Sequence, residues 1–253
     1  MKKLFLNILT NLLFLCIIFG YDNPNTIQVA VASNFSVAMD SISKRFKDET
    51  GYKVRLIHGS TGKHYAQIKQ GAPVDIFFAA DEKRPKILDD DGLGISDTRF
   101  TYAIGRIILW SPEENYVDPY GDVIHNKSVY RIAIANPELA PYGRAAKEFL
   151  ENSGLWSKLK MKIVMGENIG QTFHFVNSGN ANLGFVSASQ VKHPNFFNYG
   201  SYWEIPDTMY SPILQDAILL RETSAGRAFI KFIKGPTSKN IIHRFGYRAP
   251  EYE

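Results

Sequence analysis

The chain has 253 residues, enough for one large domain or two lobes, and its 45% apolar and 21% charged residues exclude a disordered chain, a collagen or a disulfide scaffold. A net charge of +4 and a single cysteine raise the questions of an acidic partner and of redox chemistry. The first twenty residues bear on both.

Met1, Lys2 and Lys3 precede an apolar run from Leu4 to Phe19, broken only by Asn7, Thr10 and Asn11, and Gly20 then supplies a small residue before polar sequence. This is the layout of a secretory signal peptide over residues 1–20. A membrane anchor fits less well, since about 20 predominantly apolar residues are needed to span the bilayer. Lipidation at Cys16 is disfavoured by the bulky Leu15 before it, where such sites carry a small residue. Cleavage after Gly20 removes Cys16, Lys2 and Lys3 and lowers the net charge from +4 to +2. The remaining thiol-free chain suits an oxidising, extracytoplasmic compartment. Without a basic stripe or zinc-finger spacing, it makes no case for a nucleic-acid partner.

Residues 27–32 read as a buried strand, and Ser33-Asn34 then leads into a helix whose apolar positions Phe35, Ala38, Met39, Ile42 and Phe46 follow the helical period up to Gly51. A second strand, 53–57, runs into Gly59-Ser60-Thr61-Gly62 and a short helix through Tyr65 and Ile68. A third, 74–79, ends at Ala80-Asp81 before another helix. After an apolar stretch at 104–110 and a loop through Pro112, Pro119 and Gly121, the alternation resumes. Strands are expected at 131–135, 162–165 and 183–186, with helices at 143–152 and 169–176. A strand at 213–220 and helices at 223–233 and 238–245 close the chain.

Strands alternating with helices predict an α/β fold in two lobes, each a mostly parallel sheet flanked by helices, with a ligand cleft at the C-terminal strand ends. The stretches 104–110 and 213–220 are expected to be two crossing hinge strands. Lobe one is then discontinuous, residues 21–103 plus 217–253, and lobe two is residues 104–216.

Four strand-to-helix turns stand out: Ser33-Asn34, Ser60-Thr61, Tyr142-Gly143 and Gly166-Glu167-Asn168-Ile169-Gly170. Each offers backbone N–H groups at a helix start, and the first two add hydroxyl or amide side chains. None requires a cation, and aligned neutral dipoles suffice to hold a dianion. Taken singly, Ser and Asn at such positions are ordinary helix caps. Two such turns in each half weaken that explanation.

The run Val31-Ala32-Ser33-Asn34-Phe35, then Gly59-Ser60-Thr61-Gly62, Gly71-Ala72-Pro73-Val74-Asp75-Ile76-Phe77 and Ala80-Asp81, resembles the periplasmic molybdate-binding proteins of ATP-driven uptake systems. The second half continues the likeness through Ala133-Ile134-Ala135-Asn136-Pro137-Glu138, Pro141-Tyr142-Gly143 and Leu183-Gly184-Phe185-Val186. The resemblance implies a monomeric solute receptor, not an enzyme. It would have no cofactor, close two lobes on molybdate or tungstate, and deliver the anion to the membrane permease of an ABC transporter. It places the oxyanion contacts on Ser33, Asn34, Thr61 with Ser60 beside it, Tyr142 and Ile169. The Ile169 contact must be a backbone N–H, since that side chain has nothing to donate. Thr61 stands where serine is usual, and Ser187 where one branch of the family has a tyrosine donor.

Other groups have simpler explanations. His58 and His64 lack a third ligand and helical spacing for a metal. Asp89-Asp90-Asp91 reads as a solvated helix end. Asp75 and Asp81 read as structural carboxylates rather than an acid–base pair. There is no nucleophile elbow, P-loop or dinucleotide fingerprint. Glu167 is the feature that would weaken discrimination against phosphate, by accepting its proton. The alternatives are a sulfate-like anion, an organic carboxylate clamped by Arg144, a ferric ion held by tyrosines, of which Tyr199 and Tyr202 come nearest to a pair, or a secreted enzyme or adhesin on the same scaffold.

Overall fold

The computed structural model describes residues 24–192, 200–248 and 250. The expected leader, Cys16 and Tyr199 lie outside them. Two five-stranded sheets organise the chain. The first contains β1 (Thr26–Ala32), β2 (Lys53–Gly59), β3 (Ile76–Phe78), β4 (Phe100–Gly105) and β10 (Ile213–Leu219) in the order β2-β1-β3-β10-β4. The second contains β5 (Ile107–Ser111), β6 (Ile132–Ala135), β7 (Ile163–Gly166), β8 (Leu183–Ser187) and β9 (Ser201–Glu204) in the order β7-β6-β8-β5-β9. In each sheet one strand runs against the other four: β10 in the first and β5 in the second. The helices are α1 (Ser36–Thr50), α2 (Thr61–Lys69), α3 (Lys83–Asp90), α4 (Pro141–Asn152), α5 (Trp156–Leu159), α6 (Ile169–Asn177), α7 (Ala188–Val191), α8 (Ser224–Lys234) and α9 (Pro236–Arg244). Among the described residues, no helix is long and apolar enough to cross a membrane.

Strand alternation explains why the runs are apolar throughout. In β3, Ile76 and Phe78 pack with Val29, Phe35 and Phe229 on one face, while Phe77 packs with Ala30, Leu88 and Ile218 on the other. In β5, Ile107 and Leu109 join the cluster of Ile134, Phe149 and Phe185, whereas Ile108 and Trp110 join Val176 and Val186. Each such side chain contributes about 1.5–3 kcal/mol by leaving water. α1 buries the expected Ala38, Met39, Ile42 and Phe46 and stops at Gly51, whose φ of 78° is a left-handed conformation that glycine adopts without strain. α4 starts at Pro141 rather than Gly143 because proline's fixed φ suits the first helical position, so Tyr142 lies inside the first turn.

The chain changes sheet between Gly105 and Ile107, within the stretch expected to cross, but as the junction of two strands rather than one continuous strand. Its return runs through residues 205–212. Residues 213–219 do not cross: β10 lies whole in the first sheet between β3 and β4, and the boundary expected at 216/217 falls inside it. The run is apolar because both of its faces are covered, and burial of that kind carries no information about the path between sheets.

Candidate functional site

Parallel pairing brings the four turns together. Ala32 at the end of β1 is in register with Gly59 at the end of β2, and Ala135 at the end of β6 with Gly166 at the end of β7. The turns after β1 and β2 therefore sit side by side in one lobe, and those after β6 and β7 in the other. Facing each other, they line a small cavity, with Ser33, Asn34, Ser60, Thr61, Tyr142 and Ile169 among its residues. The lobes touch across it: Gly170 N donates to Ser33 Oγ at 3.3 Å and Gly62 N to Leu139 O at 2.8 Å.

The donors are those of helix starts. The amides of Thr61, Tyr142 and Ile169 stand in the first turns of α2, α4 and α6, and among the described residues none of them meets a backbone or side-chain acceptor. Thr61 Oγ1 accepts from Ala80 N at 3.0 Å and Ser33 Oγ accepts from Gly170 N, which leaves both hydroxyl protons available. Ser60 caps α2 by accepting from Lys63 N at 3.4 Å. Among the described residues lining the cavity none is charged.

Two expected contributors are turned elsewhere. The Asn34 side chain points away from the cavity: its Nδ2 lies 2.9 Å from Gln215 Oε1 and 3.0 Å from Tyr247 Oη, so only its backbone remains to face a ligand. Ser187 does not line the cavity; it caps α7, lies 2.6 Å from Ser189 Oγ and hydrogen-bonds Tyr142 from behind. The Tyr142 ring also points to the back of the cleft, where burial pushes its hydroxyl up to about 12. Burial raises Tyr102 and Tyr247 well above the usual tyrosine range. All three are neutral at ordinary pH.

Charged groups stay outside. Glu167 meets Lys63 of the opposite lobe at 2.5 Å, with both side chains substantially exposed. Arg144 faces Glu148 on its own helix at 3.5 Å. Arg84 pairs with Asp81 and reaches Glu138 O at 2.8 Å. Asp75, fully buried, accepts from Gln28 N at 2.6 Å and from Arg221 Nε at 2.5 Å, tying strand ends together. Asp89, Asp90 and Asp91 each meet a cation, Arg99, Lys86 and Lys69 respectively. His58 bonds Ser36, and burial lowers the pKa of His64, whose Nε2 lies 3.3 Å from Val31 O. Tyr202 carries Lys192 over its ring. Among the described residues no His, Cys, Asp and Glu cluster fits a metal ion.

Sequence reasoning missed Gln215, Tyr247 and Ser189, which surround Asn34. Gln215-Asp216, a polar pair in the middle of an apolar run, was the available signal.

The family model of bacterial extracellular solute-binding proteins matches residues 27–248. A molybdate-binding protein of Azotobacter vinelandii is 42% identical over 224 residues, covering 87% of this chain and 89% of that protein. One from Rhodobacter capsulatus is 39% identical over 224 residues, covering 87% of each. The solved structure of the Azotobacter vinelandii periplasmic molybdate-binding protein aligns with a TM-score of 0.86 at 38% identity, covering 89% of this chain and 100% of that one. With the same two-lobed architecture and a match along almost all of its described length, this chain belongs to the bacterial extracellular solute-binding protein family.

Proposed function

We propose that this protein is an extracytoplasmic receptor that captures molybdate, and tungstate, by closing its two lobes, and delivers the anion to the membrane permease of an ABC transporter. The observation that carries the proposal is the cavity between the lobes: donors from four turns, two in each lobe, and no charged group among its described lining residues. A tetrahedral dianion is the ligand such a site stabilises, because converging N–H and O–H groups replace its hydration shell while the helix starts supply positive potential. The relatives from Azotobacter vinelandii and Rhodobacter capsulatus are named molybdate-binding proteins, which supports the choice of ligand.

The ligand set is the backbone N–H groups of Asn34, Thr61, Tyr142 and Ile169, with the hydroxyls of Ser33, Thr61 and Ser60; Ser187 acts only through Tyr142. Phosphate is disfavoured because its P–OH has no acceptor in a donor-only site, which leaves a buried donor unpaired at about 1–3 kcal/mol. The pairing of Glu167 with Lys63 at the mouth supports that exclusion. Sulfate, also a tetrahedral dianion, is rejected by size. The protein is a transport receptor rather than an enzyme and works as a monomer. It is exported by cleavage of residues 1–20 rather than anchored through Cys16. Lobe one takes the chain up to Gly105 and again from β10 onward, with the hinge at residue 106 and in residues 205–212.

Calorimetric titration of the mature protein with molybdate, tungstate, sulfate and phosphate tests the proposal. Saturable 1:1 heat is expected for the first two alone. Ligand at a hundredfold excess over its dissociation constant should add about 2.7 kcal/mol to stability, visible as a raised melting temperature. Saturable phosphate heat without molybdate heat would overturn it.

A further inference from the structure

Behind the cavity the two lobes share a buried polar cluster centred on Gln215. This side chain is 0% exposed and is not among the residues lining the cavity. A register shift between Gln215 and Asp216 interrupts the pairing of β10 with β4. The extra residue is Tyr102 of β4, and such bulges occur where a strand re-aims a side chain next to a site. Gln215 Nε2 donates to Tyr142 Oη at 2.9 Å, and its Oε1 accepts from Asn34 Nδ2 at 2.9 Å and from Tyr102 Oη at 3.0 Å. Tyr142 and Asn34 both line the cavity, from opposite lobes. The second lobe adds two more bonds: Tyr142 Oη also accepts from Asn34 Nδ2 at 3.4 Å, and Ser189 Oγ donates to Asn34 O at 3.1 Å, while Tyr247 Oη donates to the same carbonyl at 2.7 Å. Gly105, where the chain leaves the first sheet, makes room for this junction: a Cβ there would overlap Tyr142 Oη and lie 2.5 Å from Gln215 Nε2.

We propose that Gln215 is a positioning residue for anion capture, holding the Asn34 turn of one lobe in register with the Tyr142 turn of the other without meeting the anion. The inference rests on the receptor function proposed above. Its physical basis is that the Gln215–Tyr142 bond joins two lobes and so exists only in the closed form. On opening, the amide and the hydroxyl separate and are rehydrated. The bond therefore stabilises the closed state selectively, and the measured affinity scales with the population of that state. A purely structural glutamine, serving only Tyr102 and Asn34 within its own lobe, would alter melting and leave affinity alone.

The test is a double-mutant cycle with Gln215→Met, which keeps length and volume, and Tyr142→Phe, which removes one oxygen and leaves the backbone N–H in place. Molybdate affinity is read by calorimetry, dissociation rate by stopped flow, and melting of the anion-free protein as the structural readout. Each single variant is expected to bind roughly three- to tenfold more weakly, mainly through faster dissociation, with the double variant no weaker than the worse single one. Single variants within twofold of the parent affinity, or fully additive losses, would overturn the positioning role. Should Gln215→Met fail to fold, Gln215→Leu takes its place in the cycle and is read by the same thresholds. A parent protein that binds neither molybdate nor tungstate defeats the receptor function itself, an outcome distinct from parent-like variants of a protein that binds.

Discussion

At the mouth of the cleft the lobes meet through charge: Lys63 and Glu167 pair at 2.5 Å, and Arg84 reaches across to Glu138 O. At the back they meet through neutral groups, with Gln215, Asn34, Tyr142 and Ser189 buried and mutually hydrogen-bonded. Exposed ion pairs gain little, since water and salt screen them and two long side chains must be held still. Buried neutral bonds are also modest in net gain, yet leaving any one unmade strands a group away from water. Closure is therefore expected to depend on the back far more than on the mouth, and to be insensitive to salt.

The largest effect should come from Gly105→Ala, which places a methyl group against both Tyr142 and Gln215. Overpacking and the lost bonds together cost about 2–4 kcal/mol in the closed state, on the order of 100-fold in molybdate affinity. A titration giving parent-like affinity would break the asymmetry. Next is Thr61→Ala, which strips the acceptor from the buried Ala80 N–H and a donor from the cavity. A loss of about 1–3 kcal/mol, roughly 5- to 150-fold, is expected by calorimetry, with Thr61→Ser restoring most of it.

The pH profile of thermal stability separates the regions in another way. Burial lowers His64 below its ordinary 6.5, so below that pH the unfolded chain binds a proton that the folded chain resists. Stability should be full above pH 6.5 and fall as pH drops toward the lowered value, and His64→Gln should flatten that limb. Tyr142 moves the other way, from 10 to about 12, so its contribution is full below pH 10 and is lost as pH rises toward 12. Tyr142→Phe should weaken this alkaline limb and leave the acid one unchanged. The smallest effect belongs to Lys63→Ala at the mouth. A change of about 0.2–1 kcal/mol, under sixfold in affinity, is expected at low salt and should vanish in high salt. A larger, salt-resistant loss would move the weight of closure to the mouth.

Much of the site was legible because its chemistry is local. Ser60 before α2 and Asn168 before α6 are helix caps that a sequence displays directly, and the amides behind them follow from where each helix starts. The hydroxyls of Ser33 and Thr61 could be read in the same way. Asn34 shows the limit. Its residue type marks it as a donor, but its partners Gln215 and Tyr247 lie 181 and 213 positions further along the chain, and no local pattern says which way the amide turns. Ser187 was harder still, since its position after a strand fits a ligand contact and a helix cap equally well, and it serves as the cap.

The sequence by itself determined the two rounds of strand, turn and helix, the donor-rich turns and the absence of a required cation in them. Each of these depends on residue types within a few positions of one another. Only the tertiary structure decided where the chain passes between sheets, that β10 stays in the first, that Glu167 pairs at the mouth, and that Gln215 joins the lobes. Those outcomes rest on which distant groups burial forces together, because a polar atom removed from water takes the partner that the fold brings within reach.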